Sequence, residues 1–226
     1  NVQELQNTGG KWPMIWSVAC VNGDFVNGGD CFGETWAKAG TAADPRGAIG
    51  IVAASTNMAW VPPCDWQSSI IKEYMIKEAA WTGGALHLYG LIKAMEQWGT
   101  EDSSDGVQMV EQCIYFGDSS VMIRNNVPSE VTVSISSVQN RDMTVKVLAG
   151  DKPVKGARVV IRAADLDAAT GVTDENGSAN VPFVAGPDPI SEAKVTVTGP
   201  NLVPVLDQTL SVPQPPPPDP PPAAPP

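Results

Sequence analysis

Pro13-Met14-Ile15-Trp16-Ser17-Val18-Ala19-Cys20 is an apolar run that stops at a thiol, and Val21-Asn22-Gly23-Asp24 follows it as a turn. The run reads as a buried strand, and the Asn-Gly pair marks where the strand breaks off. A strand with this ending presents Cys20 at the carboxyl edge of a sheet. In open α/β folds that edge is where ligands and chemistry gather. Cys20 is therefore the leading candidate for a nucleophile. The competing reading is a buried structural cysteine, because free Cys is among the most buried residue types.

Outward from this segment, residues 48–55 form a second continuous apolar run, as expected of a strand buried on both faces. Residues 31–39 between the two runs read as a helix, with Gly40 as its stop signal. Strand, helix and strand in this order predict a right-handed parallel crossover. A further helix is expected over residues 66–80, with Asp65 as its N-cap. Another is expected over 84–98, with Leu86, Leu88, Leu91, Ile92 and Met95 as a core-facing stripe. Residues 100–106 are polar and read as a loop, 109–115 as a short helix and 121–124 as a last short strand. Residues 1–126 thus form an α/β unit that holds all seven Trp and all four Cys.

The texture changes at residue 127. Short β-rich runs occupy 131–136, 143–147, 157–161, 179–184 and 193–197. Gly150-Asp151, Asp174-Glu175-Asn176-Gly177, Gly186-Pro187 and Gly199-Pro200 punctuate them as turns. Regular short strands with such punctuation predict an all-β sandwich over 127–213. Its span Pro153-Val154-Lys155-Gly156-Ala157-Arg158-Val159, followed by Thr173-Asp174-Glu175-Asn176-Gly177, resembles the immunoglobulin-like repeats of bacterial surface proteins. No catalytic constellation falls in it, which leaves a spacer or packing role. Nine of the thirteen residues 214–226 are proline, and the stretch reads as a stiff polyproline linker. A Pro-rich stalk after such a module points to an extracellular or cell-surface setting.

Composition narrows the function classes. The net charge is −11, and no Lys/Arg cluster exists to replace counterions on a nucleic acid. No apolar run approaches the length needed to span a bilayer. The first residues are polar, lack the basic region of a signal peptide and do not begin with Met, which leads us to expect a processed or truncated product. Cys20, Cys31, Cys64 and Cys113 fit no paired zinc spacing, and one histidine, His87, rules out a His-rich metal site. Reserving Cys20 for chemistry leaves at most one disulfide.

Four strings taken together carry a resemblance. They are Ser17-Val18-Ala19-Cys20-Val21-Asn22-Gly23, Cys31-Phe32-Gly33-Glu34, Ala54-Ser55-Thr56-Asn57-Met58-Ala59-Trp60 and Phe116-Gly117-Asp118-Ser119-Ser120. In order and spacing they resemble the gingipain family of secreted bacterial cysteine peptidases, over about residues 7–126. The resemblance implies the C-terminal half of a caspase-like α/β catalytic domain, followed by an immunoglobulin-like domain. It places Cys20 on the nucleophile, with its own N–H as an oxyanion donor. It places Trp60 on the wall of the pocket for the side chain before the scissile bond, where a core or loop anchor is the competing role. It implies a protein or peptide substrate and no cofactor for catalysis. It also implies calcium as a structural ion; Asp24, Asp30, Asp44 and Asp118 are loop carboxylates of the hard-oxygen type, but no loop pattern assigns them as ligands.

The chain departs from the family at the base. The family's histidine lies in a Gly-His-Gly string upstream of the cysteine, and this sequence begins after that place. His87 sits in a helix-like apolar stretch and reads as structural. The acidic residue that sets Arg or Lys preference is likewise expected upstream. An enzyme therefore needs an N-terminal segment that carries the base histidine. The alternative is a non-catalytic structural or adhesive surface protein built on a peptidase-like scaffold.

Overall fold

A computed structural model of the chain describes residues 2–26, 28–139, 142–163, 168–182 and 190–213. It divides into two compact units, Asn1–Asn125 and Asn126–Pro226.

The first unit is organised by a three-stranded sheet in the order β1-β2-β3. β1 is Met14–Trp16, β2 is Gly50–Ala54 and β3 is Cys113–Gly117. β1 runs parallel to β2, with helix α1 (Phe32–Ala37) between them in sequence, as the apolar runs predict. β3 runs antiparallel to β2, so the sheet is mixed and not wholly parallel. Every residue of β2 is buried, which accounts for its unbroken apolar sequence. β1 departs from expectation. It is half-buried and ends at Trp16, four residues before the thiol. The Ser17 N–H donates to Val52 O at 2.9 Å, and the chain then leaves the ladder.

α1 opens on a capping box in which a thiol replaces the usual hydroxyl. Cys31 Sγ accepts from the Glu34 N–H at 3.4 Å, and Glu34 Oε2 accepts from the Cys31 N–H at 3.1 Å. That backbone donor, followed by the Lys38 side chain, holds the Glu34 carboxyl below its ordinary pKa.

The next helix, α2, spans Pro62–Ser69 and starts before Asp65. Asp65 is not its N-cap. Val61 occupies that position with no side-chain bond, and Pro62 supplies the preset φ of a first turn. Asp65 instead accepts from Gln97 Nε2 at 2.9 Å. Beyond Ser69 the helix widens into a π-turn over Ile70–Met75, where Ile76 N–H reaches back to Ile71 O at 2.9 Å.

α3 covers Gly83–Trp98 and is capped by Thr82, whose Oγ1 accepts from the Ala85 N–H at 3.3 Å. Of its expected stripe, Leu86 and Leu91 are buried but Leu88 and Ile92 are exposed. α4 spans Asp105–Gln112, earlier than the short helix expected, with Ser104 as N-cap. Cys113–Gly117 is strand and not helix, because it completes the ladder on the free edge of β2. Residues 121–124 make only one isolated bridge, Met122 to Thr82, in place of a strand. The core gathers Val52 and Ala54 of β2 with Trp66, Ile70, Leu86, Leu91, Met109 and Cys113.

The second unit is all β. One sheet has the order β11-β10-β7-β8, built from Val205–Ser211, Glu192–Thr198, Arg158–Arg162 and Ala169–Val172. In the other, β4 (Thr132–Gln139) pairs with β5 (Asp142–Ala149). The opposite edge of β5 is shared by β6 (Lys152–Pro153) and β9 (Ser178–Pro182). All of these pairings are antiparallel. Alternate residues of β5 (Met143, Val145, Val147) and of β10 (Ala193, Val195, Val197) join one core with Val159, Ile161, Ala179 and Val181. β6, β8 and β11 lie beyond the five expected runs. In the turn after β8, Asp174 Oδ1 accepts from Asn176 N–H at 2.8 Å and Ser178 N–H at 2.9 Å. Phe183, Val184, Gly186-Pro187 and the proline-rich 214–226 lie outside the described residues. Among the described residues no helix is long and apolar enough to cross a membrane.

Candidate functional site

Between β1 and α1 the chain steps out of the sheet and returns within a few residues. Ser17 is the last point of contact on the way out. On the return, Val21 N–H donates to Thr56 O at 3.0 Å and Gly23 N–H to Ala54 O at 2.8 Å. The Asn22 side chain completes the return. Its Oδ1 accepts the Ala54 N–H at 2.9 Å, and its Nδ2 donates to Ser17 Oγ. The Asn22 carbonyl accepts the Gly33 N–H at 2.9 Å, which ties the same turn to α1. The Asn-Gly pair is thus the turn the sequence announces, and the Asn side chain stands in for a strand residue.

Cys20 occupies the projecting part of this segment and is exposed. The next residue, Val21, has φ +57°. That left-handed conformation is an outlier for a β-branched side chain. The Cys20 sulfur lies against the Met58 peptide, accepting its N–H at 3.4 Å and standing 3.8 Å from its carbonyl oxygen. The Cys20 N–H itself has no acceptor among the described residues. An exposed thiol thus sits beside an N–H with no acceptor among the described residues, a pairing of the kind that can attack a carbonyl and hold the resulting oxyanion.

Trp60 follows Met58 by two residues, so the segment that touches the thiol also carries the indole. The Trp60 side chain is 92% exposed, which rules it out as a core anchor. Its carbonyl accepts from the Cys64 thiol at 3.4 Å just before α2 begins. Cys20 and Trp60 therefore lie on two stretches stitched together by the Val21–Thr56 and Cys20–Met58 bonds.

His87 is elsewhere. Its ring meets Trp66 edge-on, with centroids 5.7 Å apart, and Tyr115 at 6.1 Å. Burial lowers its pKa from 6.5 to about 4, against the opposing effect of a hydrogen bond with the Cys113 backbone. It is a half-buried histidine held neutral, and no contact links it to Cys20. The other thiols differ just as clearly. All four cysteines are free. Cys113 is buried, and burial alone pushes its pKa up to about 12. Cys64 is exposed like Cys20, and Cys31 caps α1.

The loop carboxylates do not converge. Asp30 pairs with Lys38 at 2.7 Å and Asp44 with Arg46 at 2.6 Å. Asp118 accepts from Ser120 N and Oγ, and Asp24 accepts from the Val26 N–H. Among the described residues no three His, Cys, Asp or Glu side chains gather to hold a metal ion.

Sequence reasoning singled out Cys20 and Trp60, whose segments the structure brings together, and the Asn22-Gly23 turn, which it shows. It missed Ser17 and Met58 as partners of the turn. Neither carries a local signal, because each acts through a contact made across the sheet edge.

Comparison with known proteins bears on this arrangement. The model of Peptidase family C25 matches residues 1–124, more than half of the chain. Gingipain R2 of Porphyromonas gingivalis is 31% identical over 137 residues, which is 59% of this chain and 18% of the relative. Gingipain R1 of Porphyromonas gingivalis is 29% identical over 190 residues, 78% of this chain and 19% of the relative. The crystal structure of the Arg-specific cysteine proteinase gingipain R superposes with a TM-score of 0.76 at 27% identity, over 93% of this chain and 48% of that one. A complex of Porphyromonas gingivalis RgpB pro- and mature domains gives the same TM-score at 26% identity. The chain spans less than a fifth of these curated relatives and about half of the solved chains.

Proposed function

Given that the chain belongs to peptidase family C25, we propose that it is the nucleophile-bearing part of a secreted or cell-surface cysteine endopeptidase. The single observation that carries this reading is the exposed Cys20 sulfur on its strained, sheet-anchored turn. In the proposed reaction the Cys20 thiolate bonds to a peptide carbonyl carbon, and the oxyanion accepts the Cys20 N–H. The C–N bond then breaks, and an imidazolium gives its proton to the leaving amine. Water cleaves the resulting thioester and restores the thiol.

The imidazole comes from sequence outside residues 1–226, since His87, the one histidine present, packs half-buried against Trp66 and Tyr115, away from Cys20. Trp60 offers a flat wall for the aliphatic stem of the residue before the scissile bond. We further assign the first unit to a caspase-like domain, the second to an immunoglobulin-like sandwich and the proline-rich 214–226 to a spacer. No cofactor enters the reaction, and calcium, if bound, is structural.

Cys64 is an internal control because it, like Cys20, is exposed. In the full-length protein, a peptidyl chloromethyl ketone followed by peptide mapping is expected to modify Cys20 far faster than Cys64, Cys31 or Cys113. Cys20→Ala is expected to abolish peptide cleavage. Equal modification of Cys20 and Cys64, with no Cys20-dependent cleavage, would leave the non-catalytic surface scaffold as the reading.

A further inference from the structure

We propose that Ser17 and Asn22 form a positioning clamp that sets where the Cys20 sulfur stands, an inference that rests on Cys20 being the nucleophile. The geometry of the excursion carries it. Residues 18–21 leave the sheet, and the two ends of that excursion are joined by one side-chain hydrogen bond, Asn22 Nδ2 to Ser17 Oγ. Each end is also fixed to β2. Ser17 N–H binds Val52 O at 2.9 Å; Asn22 Oδ1 takes Ala54 N–H at 2.9 Å, and Gly23 N–H takes Ala54 O at 2.8 Å. Asn22 and Gly23 together satisfy both polar groups of the Ala54 peptide. The ladder that β1 abandons after Ser17 therefore resumes at Asn22.

The cross-link matters because the intervening residues are otherwise held only by the Val21 N–H on Thr56 O at 3.0 Å and by the Cys20 sulfur on the Met58 peptide. Val18, Val21 and Cys20 are all exposed. Val21 sits in a conformation that a free loop would relax. The Met58 peptide steadies the sulfur only while the excursion keeps its height above the sheet. Ser17 and Asn22 touch no reacting atom in the proposed mechanism. They act by fixing both ends of the segment that carries the nucleophile. A misplacement of about 1 Å at such a group costs about 10²-fold in rate.

The test uses the full-length protein. Ser17→Ala removes the clamp but keeps every backbone bond, and Ser17→Thr keeps the hydroxyl. Asn22→Ala removes the same bond together with the Ala54 contact. Ser17→Ala is expected to lower kcat by about ten- to a hundredfold with little change in KM. Ser17→Thr is expected to restore most of the loss. The Ser17→Ala, Asn22→Ala double variant should be no worse than Asn22→Ala alone, since one bond cannot be lost twice. Unchanged kcat in Ser17→Ala, no rescue by threonine or strictly additive losses would overturn the clamp. Amide hydrogen exchange separates this failure from that of the peptidase reading. If the wild type shows no Cys20-dependent cleavage, the peptidase reading fails. The clamp is then judged on the Val21 and Gly23 amides: faster exchange in Ser17→Ala supports it, and exchange equal to wild type refutes it.

Discussion

Gly23→Ala tests whether the Cys20 turn is locked onto the sheet or merely rests there. Gly23 is buried and not in the left-handed region, so its role is to admit a close approach. A Cβ added to it would lie 2.8 Å from both the carbonyl carbon and oxygen of Ala53 and 3.0 Å from the Ala53 Cβ. Those atoms belong to β2, which is bonded to β1 on one side and β3 on the other and cannot move aside. The turn must move instead. Overpacking of this kind costs about 1–3 kcal/mol. The smaller conformational freedom of alanine in the unfolded chain returns about 0.4–1 kcal/mol. The net loss is about 1–2 kcal/mol, or about 5–10 °C in the midpoint of a unit this size. Tryptophan fluorescence is the assay of choice, because all seven Trp lie in the first unit. The same displacement lengthens the Cys20–Met58 contact, so alkylation of Cys20 relative to Cys64 should change alongside. A midpoint within about 1 °C of wild type, with the Cys20-to-Cys64 ratio unchanged, would refute the locked turn.

Three further outcomes are expected. His87 is half-buried and neutral, with desolvation lowering its pKa from 6.5 to about 4, so the unfolded chain binds a proton that the folded chain refuses. Its contribution is complete above pH 6.5 and is lost as pH falls towards 4, amounting to about 3 kcal/mol. Denaturant midpoints followed by Trp fluorescence should therefore fall less steeply across that range in His87→Leu, and parallel profiles would contradict the assignment. Cys113 runs the other way: its raised pKa favours the folded state below 9 and ceases to do so as pH climbs towards 12. Iodoacetamide at pH 8 should leave Cys113 unmodified until the protein is unfolded, and early modification would show that the β3 edge opens locally. Trp60→Ala should change stability by no more than about 0.5 kcal/mol, because the ring is already in solvent. In the full-length protein the same change should lower kcat/KM for any peptide cleavage that depends on Cys20, and undiminished kcat/KM would remove Trp60 from the proposed substrate wall.

The legible parts of the fold are those in which a run of residues shares one environment. β2 reads as a buried strand because all five of its residues are buried. β5 and β10 read as strands because alternate residues face one core. Failures occur where one element passes directly into another. Cys113-Ile114-Tyr115-Phe116-Gly117 follows α4 with no loop, so its β-branched and aromatic content is absorbed into the helix before it. The π-turn at Ile70–Met75 is invisible because it preserves an approximately helical spacing of apolar residues. Pro62-Pro63 carried the true start of α2, and an acidic residue three positions later was the weaker signal. In the site, Cys20 and Trp60 are legible from the strings that contain them. Ser17 and Met58 are not, because their contribution is a contact fixed by the register of β1 on β2.

The contrast between Cys20 and Cys113 gives the site its physical meaning. An inert thiol needs only a buried strand position. Cys113 has one, pairing with Ala54 across the β2–β3 ladder, with no backbone outlier beside it. Cys20 requires far more of its surroundings. The chain leaves a ladder it could have continued, holds Val21 in a conformation that costs about 1–2 kcal/mol, and needs a glycine at 23 to settle back against β2. A side-chain amide must then replace the strand groups that were given up. None of this adds apolar burial, since the residues lifted out, Val18 and Val21 among them, end up exposed. What the arrangement achieves is a sulfur outside the sheet, at a height fixed from both sides. The strain at Val21 is therefore tied to the placement of Cys20: relaxing it in a Val21→Gly variant should loosen the sulfur without weakening the core beneath.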